Sequence, residues 1–253
     1  MPDPNVVSSI SNWWNAQVKQ RGFWGAIPRL GGILREFIRD SMPSRRKQRY
    51  GDAGFDWEYR VDTTSATVDW RTRLVGLFHS PYQPTDAALF HSMLEALHID
   101  YSSFTFIDIG SGKGRVLLVA ADYPFHEIIG VELMPDLHQI AVENIRKYRS
   151  NSQKCYQIKA VCADAQDFEF PDKPVVVYLF NPLPEEASAK LAARLHQSVR
   201  ENPRPVYVIY HNPEFAYLFR DREFRNIRET HQYSVFTSVA ENRPAQVGSP
   251  KKE

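Results

Sequence analysis

The sequence predicts an α/β protein with a mostly parallel β-sheet covered by helices on both faces. Three observations predict it. From residue 104 onward, short and nearly continuous apolar runs alternate with segments of helical period, the pattern of strands buried on both sides. The first of these runs ends in a glycine-rich turn that opens a helix. The last part of the domain, NIRETHQYSVFTSV (226–239), has strand composition throughout, so the chain closes on a hairpin with one antiparallel strand.

Taken in order, FTFIDI (104–109) is the first strand and KGRVLLVAADY (113–123) the helix after it. EIIGVEL (127–133) is a strand, followed by a helix over 135–150 with Pro135 at its start, where a missing N–H costs nothing. YQIKAVCAD (156–164) and PVVVYLF (174–180) are strands. EEASAKLAARLHQSVREN (185–202) is a helix and PVYVIYH (205–211) a strand. A short helix is expected over 214–221. Upstream, the spacing predicts a helix over 86–98 with Thr85 as its N-cap.

The chain ahead of this domain differs in character. Residues 1–50 hold nine Lys and Arg against three Asp and Glu, a local charge of +6 in a molecule whose net charge is +1. Ile10, Trp14 and Val18 form one apolar stripe at helical spacing, and Leu30, Ile33, Leu34, Phe37 and Ile38 form a second, with Pro43 as the stop. These residues read as a basic, aromatic helical extension (1–50). An irregular connecting or lid segment (51–84), the main domain (85–240) and a disordered tail (241–253) follow it.

Composition narrows the function. Hydrophobic residues make up 43% and charged residues 24%, ordinary for a globular protein. The near-neutral balance gives no overall bias toward nucleic acid. Cys155 and Cys162 have no Cys-x-x-Cys spacing and no companions for zinc, so no metal is expected, and reduced cysteines suit a cytoplasmic protein. Neither a signal peptide nor an apolar run long enough to span a bilayer is visible.

The turn DIGSGKGR (108–115) carries the chemistry. Strand, tight turn, helix presents backbone N–H groups to a ligand at the carboxyl edge of the sheet. A P-loop would need a glycine where Ile107 stands and a Ser or Thr where Gly114 stands. A dinucleotide fingerprint would need its third glycine where Arg115 stands. The spacing that remains is Asp108-x-Gly110-x-Gly112-x-Gly114.

This spacing resembles the first motif of class I S-adenosylmethionine (SAM)-dependent methyltransferases. Glu132 stands 24 positions after Asp108 at the end of the second strand, Ala163-Asp164-Ala165 follows the third strand, and Phe180-Asn181-Pro182-Leu183-Pro184 follows the fourth. The resemblance implies a Rossmann-like, doubly wound sheet of seven strands with SAM as cofactor. It places Gly110, Gly112 and Gly114 beside the methionine part, with Asp108 positioning it, Glu132 on the ribose hydroxyls, and Asp164 with Ala165 at the adenine. Asp167 is a nearby alternative to Asp164, and Asn181 lies beside the transferable methyl. A narrower likeness, DIGSGKGR with a later Phe-Asn, is to seven-strand protein lysine methyltransferases.

Asn181, Tyr82 and His211 are the candidate catalytic residues. An Asn amide oxygen can accept from a substrate amine, although Asn181 is equally placed to cap the next helix. His211 ends a strand on the same edge and could serve as a base or simply be structural. Tyr82 and Thr85 lie where the upstream region of this fold covers the cofactor, though an ordinary turn and cap account for them as well. Leu183-Pro184 departs from the Asn-Pro-Pro-aromatic form of adenine methyltransferases, which lowers the case for a DNA base. Lys113 and Arg115 either face solvent or bind a cofactor carboxylate or an acidic substrate. The expected acceptor is a nitrogen nucleophile, with a protein side chain such as lysine, RNA and a small molecule all open. An NAD(P)-linked oxidoreductase and a non-catalytic SAM-binding protein are the alternatives. Residues 1–50 have three readings: a lid packed on the domain, a peripheral contact with an anionic membrane, or a grip on an acidic partner or RNA.

Overall fold

The computed structural model of the chain describes residues 4–41, 53–64, 84–180 and 183–239; within the first span it describes side chains at 11, 14, 15, 17–32 and 35. Tyr82, Asn181, Pro43, the basic run 45–49 and the tail lie outside the described residues, as do the side chains of Ile10, Ile33, Leu34, Phe37 and Ile38.

The helices are α1 (Pro4–Ser41), α2 (Ala53–Tyr59), α3 (Ala87–Glu95), α4 (Arg115–Ala120), α5 (Pro135–Lys147) and α6 (Glu185–Glu201). The strands are β1 (Thr105–Ile109), β2 (Glu127–Glu132), β3 (Ile158–Cys162), β4 (Val175–Phe180), β5 (Val206–His211), β6 (Arg225–Glu229) and β7 (Tyr233–Thr237). They form one seven-stranded sheet in the order β3-β2-β1-β4-β5-β7-β6. Strands β1 to β5 pair in parallel, and β7 runs antiparallel between β5 and β6.

Alternation along the strands divides the core. Phe106, Ile128, Val176, Tyr178 and Ile209 pack with Phe90, Leu94, Leu117 and Leu118 of α3 and α4. Ile107, Ile129, Val177, Val208 and Phe236 pack on the other side with Leu191 and Leu195 of α6. Successive strand residues point to opposite faces, so continuous apolar runs such as VVVYLF fill both.

Two expectations change in detail. The N-cap of α3 is Asp86, whose carboxylate accepts from the Leu89 N–H at 2.8 Å. Thr85 turns inward instead and is buried. Within the segment expected to be irregular, Ala53–Tyr59 is helical and ends at Arg60 with a left-handed φ of 55°.

Helix α1 is two helices joined at Gly22, whose φ of 72° and ψ of 166° lie outside the helical region. Nη1 of Arg29 donates to Oε1 of Gln17 at 2.8 Å. Twelve residues of straight helix would hold those two backbones roughly 18 Å apart, so the chain turns back at Gly22. Among the described residues no helix is long and apolar enough to cross a membrane.

Candidate functional site

The carboxyl end of β1 builds the site. Gly110 and Ser111 donate their N–H groups to the Val131 carbonyl at 2.8 and 3.0 Å, so the chain stays laced to β2 as it leaves the strand. Gly110, Gly112 and Gly114 have φ of 77°, 53° and 82°, a left-handed region that L-residues adopt at a cost. The spacing of the motif therefore follows from backbone geometry. At Gly114 a Cβ would also meet the Ala141 Cβ of α5 at 3.2 Å.

Two buried carboxylates flank the turn. Glu132 accepts from the Gly112 N–H through Oε2 and from the Met134 N–H through Oε1, both at 2.8 Å. Burial raises its pKa despite these bonds. Asp108 is 3% exposed. Burial pushes its carboxyl well above the usual range, and the nearby Glu132 charge pushes it further. No described donor reaches Asp108. In the same turn, the buried Ser111 hydroxyl has no hydrogen-bond partner among the described residues. A buried acid without a donor is costly unless a ligand supplies one. The α-ammonium of SAM is such a donor, and ribose hydroxyls can use the second lone pairs on Glu132. The residues thus fit the cofactor that the sequence resemblance implies.

Lys113 and Arg115 correct an expectation, since neither faces solvent. Lys113 is fully buried, and its Nζ donates to Asp62 Oδ1 at 2.7 Å and to the Thr64 carbonyl at 2.9 Å. Nη1 of Arg115 donates to Thr63 Oγ1 at 3.1 Å, and its guanidinium lies 4.4 Å from the centre of the Phe55 ring. Asp56 folds the strap back on itself by accepting from the N–H groups of Thr63 and Thr64 at 2.8 and 2.9 Å and from the Thr63 hydroxyl. Asn144 of α5 completes the joint. Its Nδ2 donates to the carbonyls of Asp62 and Lys113 at 2.8 and 2.9 Å, and its Oδ1 accepts from the Asp62 N–H at 2.9 Å. Residues 61–64 are thereby clamped onto the helix that the glycine turn opens.

This joint has a testable energetic signature. Asp62→Ala removes a carboxylate from a fully buried ammonium, whereas Lys113→Met leaves behind a carboxylate that is 41% exposed. Asp62→Ala is expected to cost about 1–3 kcal/mol and Lys113→Met less, read from urea unfolding. Equal losses would show that the burial asymmetry does not matter.

A third cluster lies at the ends of β4 and β5. The Tyr178 hydroxyl is 3.1 Å from Thr85 Oγ1 and 2.8 Å from His211 Nδ1, and all three side chains are buried. Phe180 stacks on the His211 ring with centroids 3.9 Å apart. In the β1–β4 register Tyr178 sits opposite Asp108, so this hydrogen-bonded cluster begins beside the strand that leads into the glycine turn. Burial lowers the His211 pKa from 6.5 to about 4, which leaves the ring neutral at pH 7. The unfolded histidine then binds a proton over a range where the folded one does not. Stability is therefore expected to fall as pH drops from about 6.5 toward 4. Urea unfolding at several pH values should show a shallower slope in His211→Gln; an unchanged slope would refute the assignment.

After β3, Asp164 accepts from the Gln166 N–H at 2.8 Å and from Gln166 Nε2 at 3.2 Å, and Ala165 is buried. The structure thus brings Asp108, the glycines, Glu132, Thr85 and His211 to one edge. Sequence reasoning missed Asp62, Asn144, Gly130 and Tyr178. Tyr178 was the most accessible of these, being a polar hydroxyl inside the apolar run VVVYLF.

Residues 106–202 match a family described as a methyltransferase domain. No curated protein matches the chain. An RNA methyltransferase from Salinibacter ruber, solved with S-adenosyl-L-homocysteine, is 18% identical with a TM-score of 0.41 over 66% of this chain and 100% of its own. A predicted N6-adenine-specific DNA methylase from Listeria monocytogenes is 17% identical with a TM-score of 0.45, over 61% of this chain and about half (51%) of its own. A ribosomal protein L11 methylase from Lactobacillus delbrueckii subsp. bulgaricus is 14% identical with a TM-score of 0.40, over 60% of this chain and 74% of its own. Dinucleotide-binding sheets run 3-2-1-4-5-6; here an antiparallel β7 stands between β5 and β6. That strand order, the glycine turn with its two buried acids and the match of residues 106–202 to a methyltransferase domain agree with one another: this part of the chain is similar to class I SAM-dependent methyltransferases, and its site fits SAM.

Proposed function

We propose that this domain transfers the methyl group of SAM to a nitrogen nucleophile, with a protein lysine side chain as the leading acceptor. The observation that carries the reading is the buried, neutral character of the edge next to Asp108. Burial there pushes the His211 imidazole down to about 4. The same desolvation acts on an incoming ammonium, which must shed its proton before it has a lone pair to offer. SAM supplies an electrophilic methyl on a sulfonium, and the protein's part is alignment in a water-poor site.

In this reading Asp108 holds the methionine end, Glu132 holds the ribose and Asp164 with Ala165 meets the adenine. The Tyr178 hydroxyl, oriented by Thr85 and His211, presents a fixed dipole near the acceptor. His211 at about 4 is too weakly basic to hold the proton of an alkylammonium, so it orients Tyr178 and does not act as the base. Tyr82 and Asn181 remain assigned to the acceptor side on sequence grounds alone. Residues 1–50, 51–84, 85–240 and 241–253 are proposed as extension, connecting segment, methyltransferase domain and tail.

The test is transfer of labelled methyl from SAM into a lysate that is then separated into protein, nucleic acid and small molecules. Label in protein, recovered as methyl-lysine after hydrolysis, is the expected result. Label confined to RNA or to small molecules would overturn the acceptor, and SAM binding without any transfer would favour a non-catalytic role. Activity is expected to rise with pH as the acceptor amine deprotonates, with no added inflection between pH 6 and 8 from His211. An inflection in that range that vanishes in His211→Gln would contradict this assignment.

A further inference from the structure

Residues 4–35 contain no acidic residue, and four cations, Lys19, Arg21, Arg29 and Arg35, are exposed. The chain reverses at Gly22, so the residues just after it form the tip of a helical hairpin. Gln17 and Ala26 are buried, at 9% and 0% exposure. Three large apolar residues do the opposite: Trp24 is 83% exposed, Phe23 54% and Ile27 41%. Trp14, Phe23 and Trp24 form an edge-to-face ladder with centroid separations of 5.8 and 5.6 Å. A lid packed on the domain through this end would have buried Trp24 first.

We propose that the hairpin tip docks on an anionic lipid surface, with Phe23, Trp24 and Ile27 entering the headgroup boundary and Lys19 and Arg21 beside the lipid phosphates. Tryptophan favours that boundary because its ring system is apolar and its N–H hydrated, and Phe23 and Ile27 add apolar area beside it. Cations in the same short segment add attraction to an anionic leaflet, and the absence of acids removes any repulsion. A positive φ at Gly22 makes the reversal, which brings the aromatic and basic residues to one end of the hairpin. Nucleic acid shares the negative charge. It would use the cations and leave Ile27 and the edge of Phe23 without a partner of their own polarity.

The test is co-sedimentation of the full chain with phosphatidylcholine vesicles and with vesicles containing phosphatidylglycerol, at low and high salt. Expected is partition into the anionic vesicles at least about tenfold above the neutral ones, weakened by salt. Phe23→Ser with Trp24→Ser should lose at least tenfold of that partition, and Lys19→Glu with Arg21→Glu should lose its salt-sensitive part. SAM titration of each variant shows that the domain is folded. Equal partition of wild type and the aromatic variant, no partition by either, or single-stranded RNA binding that exceeds vesicle binding and is indifferent to Trp24 would each overturn the proposal.

Discussion

Asp108→Asn is expected to make the protein more stable and a poorer binder of SAM at the same time. The carboxylate is 3% exposed, and no described group donates to it. Burial and the Glu132 charge both oppose its ionisation. Removing a buried carboxyl that must either hold its proton or carry an uncompensated charge should gain about 1–3 kcal/mol, a rise of several degrees in melting temperature for a domain of this size. Binding should move the other way. A hydrogen bond from a ligand ammonium to a carboxylate is worth about 1.5–3 kcal/mol, so affinity should fall roughly ten- to a hundredfold. The pH dependence follows from the sign of the shift. The folded carboxyl keeps its proton at pH values where the unfolded one has released it. Stability of the ligand-free wild type should therefore decline as pH rises from 3.8 through the raised folded value. Glu132 is raised as well and adds a slope of the same sign. Asp108→Asn should remove the larger part of that decline, measured by thermal melts at several pH values. A melting temperature at or below wild type would show that Asp108 is satisfied in the free protein.

Gly130→Ala should damage the site from beneath. Gly130 lies in β2 directly opposite Asp108. A Cβ there would meet Leu117 Cδ1 at 2.6 Å, Ser111 Oγ at 2.7 Å and Ser111 Cβ at 2.9 Å. The leucine methyl can swing aside, but the Ser111 Cβ moves only with the turn's backbone. Ser111 is also tied to Val131 by its N–H, so the strain falls on the segment that carries Gly110 and Gly112. Overpacking of this kind costs about 1–3 kcal/mol. A turn displaced by even part of an ångström should weaken SAM roughly tenfold, since Gly112 and Glu132 would no longer meet at 2.8 Å. Stability lost with SAM affinity intact would mean that Leu117 alone yields.

Much of this site could be read from the chain because its signals are local. Strands β1, β2, β4 and β5 are nearly contiguous apolar runs, and the glycines of the turn are spaced by the left-handed φ values they must adopt. Glu132 follows from the length of one strand–helix–strand unit. The strap could not be read this way. Lys113 meets Thr64 and Asp62 across 49 and 51 positions, and no pattern near Lys113 marks it as buried. Thr85 and Asp86 are both good cap residues. Only the Tyr178 hydroxyl, 93 positions on, decides that Thr85 turns inward and Asp86 caps. Gly130 and Tyr178 read as ordinary members of apolar strands, since their importance comes from what lies across the sheet. The two apolar stripes of the extension were visible, but the reversal between them rests on one glycine among several.

The most direct measurement is calorimetric titration of SAM into wild type, Asp108→Asn and Glu132→Ala between pH 5 and 8. Wild type should bind more tightly as pH rises, because Asp108 must release its proton to receive the ligand ammonium. Asp108→Asn should bind at least tenfold more weakly with that dependence flattened, and Glu132→Ala should also bind weakly, having lost the acceptor of Gly112. Both variants binding SAM with wild-type affinity across the whole range would contradict the site.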